Sequence, residues 1–525
     1  MKRPFKTLLA VAASALIATS AVAQEPKPGG DLVMSLVAFP AHFINAMASG
    51  GNHMIPGAQF FASPVMTDSD GNPQPYLAES WELSDDGLSL TLNLVQNATF
   101  HDGEPLTSKD VAFSVMLVRD NHPFSAMLGP VTSVDTPDDY TAIIRMSGPH
   151  PALMMALGPP FMPIMPAHIY DDGTPIREHS RINENVVGSG PFKLGAVETD
   201  VQFVLERFDD FFIEGRPLLD NIIVTVDADP QTAILGVENG TIHIIPELSS
   251  VDMIARADAS DAMEIDRDGL KALGPLDWIT MNNAIEPYND LRVRQAIAHA
   301  IDTNFIVDVL HEGLSQVGGP IHSGFSSSAP DRWVTYEFDL EKAEALLDEA
   351  GYPRGDDGVR FRTTIDYLPG LPDSGRSIAE YVKPALKKIG IEVDIVVSPD
   401  YATWAKTMSD KTFEMSTDGV YSWGDPIIGN HRTFLSDNIR SAPFTNTTQY
   451  QNPEVDALLN AAAVEIDEDK RNALYADFQE IVTRDVPMVF LTETAVYMAY
   501  SKDVQGFPAS VWGGAYPFLD VWLSE

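Results

Sequence analysis

Residues 77–111 read LAESWELSDDGLSLTLNLVQNATFHDGEPLTSKDV. Within them Leu88, Leu90, Leu92 and Leu94 alternate with polar residues, and a period of two predicts a strand with one buried face. His101-Asp102-Gly103 marks a turn, and Ser108 opens a helix with Val111, Val115 and Val118 on one face. A strand delivered through a turn into an amphipathic helix points to a mixed α/β protein.

Outward from this stretch the same alternation of element types continues. Upstream, residues 31–39 (DLVMSLVAF) form a β-rich run behind Pro28-Gly29-Gly30. Downstream, residues 201–207 and 222–226 predict strands on either side of the turn Gly215-Arg216-Pro217. Residues 291–310 carry Val293, Ile297, Ala300 and Ile301 at helical spacing. Asp339 is placed to cap the next helix and Gly351 to end it. Asn452-Pro453 starts another, with Val455, Leu458 and Leu459 on its apolar face. No regular βαβ alternation, internal repeat or low-complexity tract is visible.

The first 23 residues have a different character. Lys2, Arg3 and Lys6 precede a largely apolar run at 8–18, and Ala21-Val22-Ala23 supplies a small-x-small site before Gln24. That order predicts a secretory signal peptide, too short in its apolar part for the roughly 20 residues that cross a bilayer. A second apolar stretch, 151–167, contains Pro151, Pro159, Pro160, Pro163 and Pro166, so a buried, bent, non-helical path is expected there. The chain has no cysteine, which leaves no residue for a lipid anchor at the cleavage site and is compatible with an oxidising compartment.

About 500 residues remain after the leader, enough for two or more cores. The formal net charge is −41, and loss of the three leader cations makes it more negative. Such a field repels nucleic acid and anionic membrane surfaces. The acidic residues are spread along the chain, which favours general solubility over attraction of a cationic ligand.

Four segments, in order, resemble one family. They are the opening stretch itself; Gly188-Ser189-Gly190-Pro191-Phe192 with ERFDDFFIEGRPLLDNI and Val237-Glu238-Asn239-Gly240; Met281-Asn282-Asn283 with NDLRVRQAIAHAID; and QNPEVDALLNAA through RNALYADFQEIVTRDVPMVFL. Together they cover nearly the whole mature chain and resemble the extracellular solute-binding proteins of family 5, the dipeptide, oligopeptide and nickel receptors of ABC transporters. Each segment also has a packing role: Trp81 and Phe100 suit a core, Gly188 and Gly190 a tight turn into a strand, and Arg292 and Arg294 pairing with acids on a helix surface.

The resemblance implies a two-lobed periplasmic binding protein of type II, similar to cluster C. A discontinuous domain I would comprise 24–57, 188–272 and 492–525, with domain II inserted at 58–187 and a hinged domain III at 273–491. It implies a periplasmic, monomeric receptor that takes a small-molecule solute to ABC transporter permease subunits in the inner membrane. No cofactor, nucleic acid, catalysis or direct membrane insertion belongs to that expectation.

Carried over by position, the ligand would meet three stretches. One is the loop 39–45, with Phe43 and Asn45; another is the crossing 278–283, with Trp278 and Asn282. The third runs from Asp418 through Tyr421, Ser422, Trp423, Gly424 and Asp425 to His431 and Arg432. Peptide-binding members carry an aspartate in this third loop that pairs with the ligand's α-amino group. Here only Asp425 stands near that place, and Pro426-Ile427-Ile428 follows where a second acid is usual. Two roles are open for Trp423, a stacking wall for a sugar, peptide plane or cation, or core packing. Asp425 is open to ligand contact or to starting a helix. His42 and His431 could meet only across a closed cleft, and no pair among the twelve histidines has metal-ligand spacing with a third ligand nearby, so no metal site is expected.

The solute is then a peptide, an opine or amino-acid derivative, or an oligosaccharide. A secreted hydrolase of peptides or glycans is the alternative from another class, since paired carboxylates do acid–base work. Against it, no GxSxG, HExxH, Walker loop or GxGxxG is present, and His311-Glu312 lacks a second histidine.

Overall fold

The leucine-rich run folds as the strand Ser89–Leu94, with Leu90, Leu92 and Leu94 buried and Leu88 left in solvent. The helix Ser108–Asn121 follows, and Val111, Val115 and Val118 are fully buried along its inner face. Its start is fixed by a capping box: the Asp110 carboxylate accepts from the Thr107 backbone N–H at 2.8 Å. The computed structural model describes residues 25–524, apart from Ala228 and 370–373. The leader and its cleavage site therefore lie outside the described residues.

Three large sheets carry the architecture. A seven-stranded sheet has the order Met263–Asp266, Tyr497–Ser501, Ile244–Leu248, Asp31–Leu36, Asn221–Val226, Gln202–Arg207 and Phe192–Glu198. It gathers strands from both ends of the chain and from its middle. Asp31–Leu36 runs parallel to Asn221–Val226, with Met34 beside Val224. A four-stranded antiparallel sheet, in the order Ala78–Leu83, Ser89–Leu94, Thr141–Met146 and Val131–Asp138, carries the helix Ser108–Asn121. The third sheet has six strands, ordered Gln316–Val317, Met488–Glu493, Pro275–Met281, Met415–Tyr421, Phe361–Tyr367 and Ile391–Ile395.

Burial divides these sheets into two bodies. One continuous core joins the seven-stranded and four-stranded sheets through Leu32, Leu92, Phe100, Phe203 and Trp512. Separate cores lie on the six-stranded sheet, one around Ile279, Val293 and Ile391, the other around Leu276, Phe434 and Tyr475. Trp423 and Ile428 are the exception: they follow a strand of the six-stranded sheet yet belong to the core of the first body. They mark where the bodies meet.

Several local expectations need correction. The helix predicted over 291–310 ends at Ala300, because Ile301 is extended and Asp302 caps a new turn by accepting from Phe305 N at 3.1 Å. Arg292 does pair with Asp290 at 2.6 Å. Arg294, by contrast, is buried and donates to the carbonyls of Tyr288, Asp485 and Val486 at 2.7, 2.8 and 2.9 Å. It neutralises the C-terminal end of the helix Glu468–Asp485 instead of pairing on a surface. The proline-rich stretch is buried as expected but includes one short helical segment, Leu153–Ala156.

Candidate functional site

A cavity of about 1130 Å³ lies between the two bodies. The first body lines it with Gly50, Phe124, His150 and Ser249; the second contributes Asp277, Tyr421, Trp423 and Arg432.

The loop that carries Trp423 is built by the sheet edge. Met415–Tyr421 pairs antiparallel with Pro275–Met281, and Tyr421 opposite Pro275 is the last pair. Beyond it the chain folds back onto the preceding strand's approach: Ser422 N donates to Leu273 O at 2.6 Å, Gly424 N to Ala272 O at 2.6 Å, and the Ser422 hydroxyl to Gly274 O at 2.9 Å. Trp423 and Gly424 both take left-handed backbone, with φ of 55° and 78°. That conformation suits glycine and is costly for a bulky side chain. What holds Trp423 there is packing: its ring lies 5.3 Å from Phe124 and 6.0 Å from Phe161 across the interface, and 5.4 Å from Tyr421 on its own side. Only 4% of Trp423 is exposed. One residue thus belongs to the wall of the cavity and to the seam between the bodies.

The residues read from the sequence divide sharply. Trp423, Tyr421 and His431 line the cavity, while Ser422 and Gly424 shape the backbone behind it. His431 is largely core, however: its Nε2 is 2.9 Å from the Tyr475 hydroxyl, and burial pushes its pKa down to about 3, so it stays neutral. It stands apart from His42, whose ring packs 4.9 Å from His53.

Five of the residues placed at the ligand have other work. Asp425 caps the short helix Pro426–Gly429 by accepting from Ile427 N at 2.9 Å, and its carboxylate is held by Arg471. Phe43 is packed into the core against Phe39 and Phe203. Asn45 is fully buried, with its amide 3.4 Å from Pro159 O. Trp278 points away from the large cavity and donates its indole N–H to Asp418 at 2.7 Å. Asn282 donates to the carbonyls of Lys411 and Phe413, both at 3.1 Å, and so pins the loop before Met415–Tyr421. In each case a polar or aromatic side chain near the crossing is consumed by tertiary contacts.

Phe124 and Asp277 are lining residues that the sequence reading did not place at the ligand, while Arg432, at the end of the third candidate stretch, does line the cavity. Asp277 sits inside the strand Pro275–Met281, where the residues on both sides are apolar. Phe124 comes from a turn between the helix Ser108–Asn121 and the strand Val131–Asp138, remote in sequence from the wall residues of the second body.

Burial shifts several titratable groups in the cavity wall and the strands behind it. Burial raises the pKa of Asp277 to about 7, with a Thr494 hydrogen bond opposing the rise and Asp418 adding to it. Glu247, on the strand Ile244–Leu248, is likewise pushed up to about 7 by burial. Burial raises the Tyr421 phenol too, helped by the charges of Glu247 and Asp277. Burial lowers Arg432 to about 10. Among the described residues no group of three or more His, Cys, Asp or Glu side chains is arranged to hold a metal ion.

The model of the bacterial extracellular solute-binding proteins, family 5 (middle region), matches residues 72–441. The chain belongs to this family. Its whole architecture agrees: the DppA periplasmic binding protein of Helicobacter pylori, solved with the peptide STSA, superposes with a TM-score of 0.81 at 26% identity, covering 95% of this chain and 99% of that one. Among curated relatives, heme-binding protein A of Haemophilus influenzae is 28% identical over 84% of this chain and 82% of its own. The oligopeptide-binding protein AppA of Bacillus subtilis is 27% identical over 96% of this chain and 93% of its own. The family 5 fold is therefore that of a periplasmic binding protein, and the chain is a substrate-binding receptor of an ABC transporter. The hydrolase alternative finds no support, and no helix among the described residues is long and apolar enough to cross a membrane.

Proposed function

We propose that this family 5 receptor captures a small organic solute in the cavity behind Trp423, closes its two bodies around it, and presents the closed form to permease subunits in the inner membrane. The observation that carries the reading is the position of Trp423, fixed on one body and packed onto Phe124 and Phe161 of the other. A residue shared in this way couples cavity occupancy to closure, because a ligand that contacts both walls binds only the closed arrangement fully. The same reading divides the chain into a discontinuous first domain, an insertion at 58–187 and a third domain at 273–491, with export through the N-terminal leader and a monomeric mature protein.

The cavity supports a solute larger than a single amino acid. Ligand sites usually span roughly 300–1,000 Å³, and about 1130 Å³ lies just above that range. The peptides named for the H. pylori and B. subtilis relatives support a short peptide or an amino-acid derivative here. Native mass spectrometry of the purified mature protein, followed by denaturation, tests the proposal. A discrete bound mass released intact supports it; a solute released chemically altered would sink the receptor reading in favour of an enzyme.

A further inference from the structure

Phe124 is a plug from the first body seated against two side chains of the second. It lies on the turn after the helix Ser108–Asn121, and only 6% of it is exposed. Its backbone N–H donates to His122 Nδ1 at 3.0 Å, and the His122 ring packs 5.3 Å from its own, so the plug is held stiffly on its own side. Across the seam the Trp423 ring stands 5.3 Å away at a tilt of 48°. The Arg432 guanidinium lies over the Phe124 ring, 4.6 Å from its centre.

The two clasping side chains are anchored differently. Trp423 belongs to a loop whose backbone is bonded to the crossing between the bodies, through Ser422 N to Leu273 O and Gly424 N to Ala272 O. Arg432 stands farther along the chain, on the short helix His431–Phe434, and is steadied from behind by its Nε donating to Gly429 O at 2.9 Å. It forms no ion pair with a carboxylate among the described residues. Burial lowers its pKa to about 10, so it is still a cation at neutral pH. A guanidinium is planar and weakly hydrated, and an aromatic face can take the place of a carboxylate against it.

Other contacts across the seam are apolar. Met155 of the first body approaches Gly424, where a Cβ would stand 3.1 Å from its Sδ, and Val464 of the second body lies 3.9 Å from the Cβ position of Gly148. Apolar burial is non-directional and tolerates sliding. A cation over a ring is directional, because the quadrupole is negative on the face and positive at the edge. The Phe124–Arg432 contact therefore specifies one relative placement of the bodies.

We propose that Phe124 and Arg432 form a clasp that holds the two bodies together by their own side chains, and so sets the fraction of receptor that is closed before any solute binds. The proposal rests on the receptor reading and adds to it a closing contribution independent of the solute. A clasped receptor binds every solute more tightly by one common factor, because apparent affinity scales with the competent fraction. Arg432 is then a positioning residue, acting on affinity through closure.

Small-angle scattering tests the clasp on the mature protein, stripped of solute by unfolding in guanidinium and refolding. Arg432→Gln and Phe124→Leu should each enlarge the radius of gyration. The open-to-closed ratio should shift about two- to thirtyfold, the span from exposed to desolvated cation–π pairs. The double variant should open no further than the more open single, since both changes remove one shared interaction. Phe124→Tyr keeps the ring face and should scatter as the unaltered protein does. Melting curves identify a variant that has lost its fold; should Phe124→Leu be one, Arg432→Gln alone decides. Single variants as compact as the unaltered protein, or opening that adds in the double variant, overturn the clasp. Neither outcome touches the receptor reading, which falls if native mass spectrometry finds the solute released chemically altered.

Discussion

Arg471 grips Asp425 with two parallel hydrogen bonds, Nη1 to Oδ2 at 2.9 Å and Nη2 to Oδ1 at 2.7 Å. Both side chains are more than four-fifths buried, and Arg471 also lies 5.3 Å over the Tyr475 ring. The pair ties the loop after Trp423 to the helix Glu468–Asp485. It occupies both carboxylate oxygens of Asp425.

Removing one partner should therefore unfold more than it unbinds. Arg471→Met strands a carboxylate and should cost about 3 kcal/mol in urea denaturation, in the range for a broken buried pair. The double variant Asp425→Asn/Arg471→Met should recover part of that loss. Asp425→Asn alone should leave the affinity for the released native solute unchanged. Loss of that affinity would restore Asp425 to the ligand site.

Trp423→Ala should weaken solute binding by about tenfold or more, because an aromatic anchor at the centre of an interface is removed together with its contacts to both bodies. Calorimetry with the released native solute measures this, and small-angle scattering should show the variant more open when loaded. Unchanged affinity would remove Trp423 from the site.

Stability of the empty receptor should fall as pH rises. Asp277, Glu247 and Asp418 each have a folded pKa of about 7, well above the ordinary carboxylate value near 4. A raised folded value means the folded state binds the proton more tightly. The stabilisation these groups contribute is complete below about pH 4 and is lost as pH rises through about 7. Each should contribute on the order of 1–2 kcal/mol after allowance for partial water access. Melting curves from pH 5 to 8 should show the decline, shallower in Asp277→Asn.

Trp278→Phe should destabilise the six-stranded sheet without touching the cavity. Asp418 Oδ1 accepts from the Trp278 indole at 2.7 Å and from the Thr280 hydroxyl at 2.6 Å, across neighbouring strands. Losing one donor to a buried carboxylate should cost about 1–3 kcal/mol. Solute affinity measured beside it should change less than twofold, and a large drop would place Trp278 at the ligand.

Much of the scaffold was legible locally. The leucine alternation, the valine face of Ser108–Asn121 and the caps at Asp339 and Asn452 are encoded within a few residues, and the structure follows them. The helix over 291–310 was misread because apolar spacing continues through Ile301 while the Asp302 side chain competes for the backbone. At the site, the loop containing Tyr421 and Trp423 could be located from its aromatic residues beside glycine. Its charged partners could not: Asp425 and Arg471 lie 46 positions apart, and a sequence does not show which carboxylate a distant arginine will take.

The sequence by itself thus determined the class of the molecule, since period, caps and motif order are properties of neighbouring residues. Tertiary structure alone decided which partner each charge finds. Asp277 and Arg432 lie in different segments of the second body and face a wall supplied partly by Phe124 of the first. Whether a carboxylate is neutralised, capped or left open to a ligand depends on distances of a few ångströms between such segments, because charge–charge interaction inside a protein is strong only at that range.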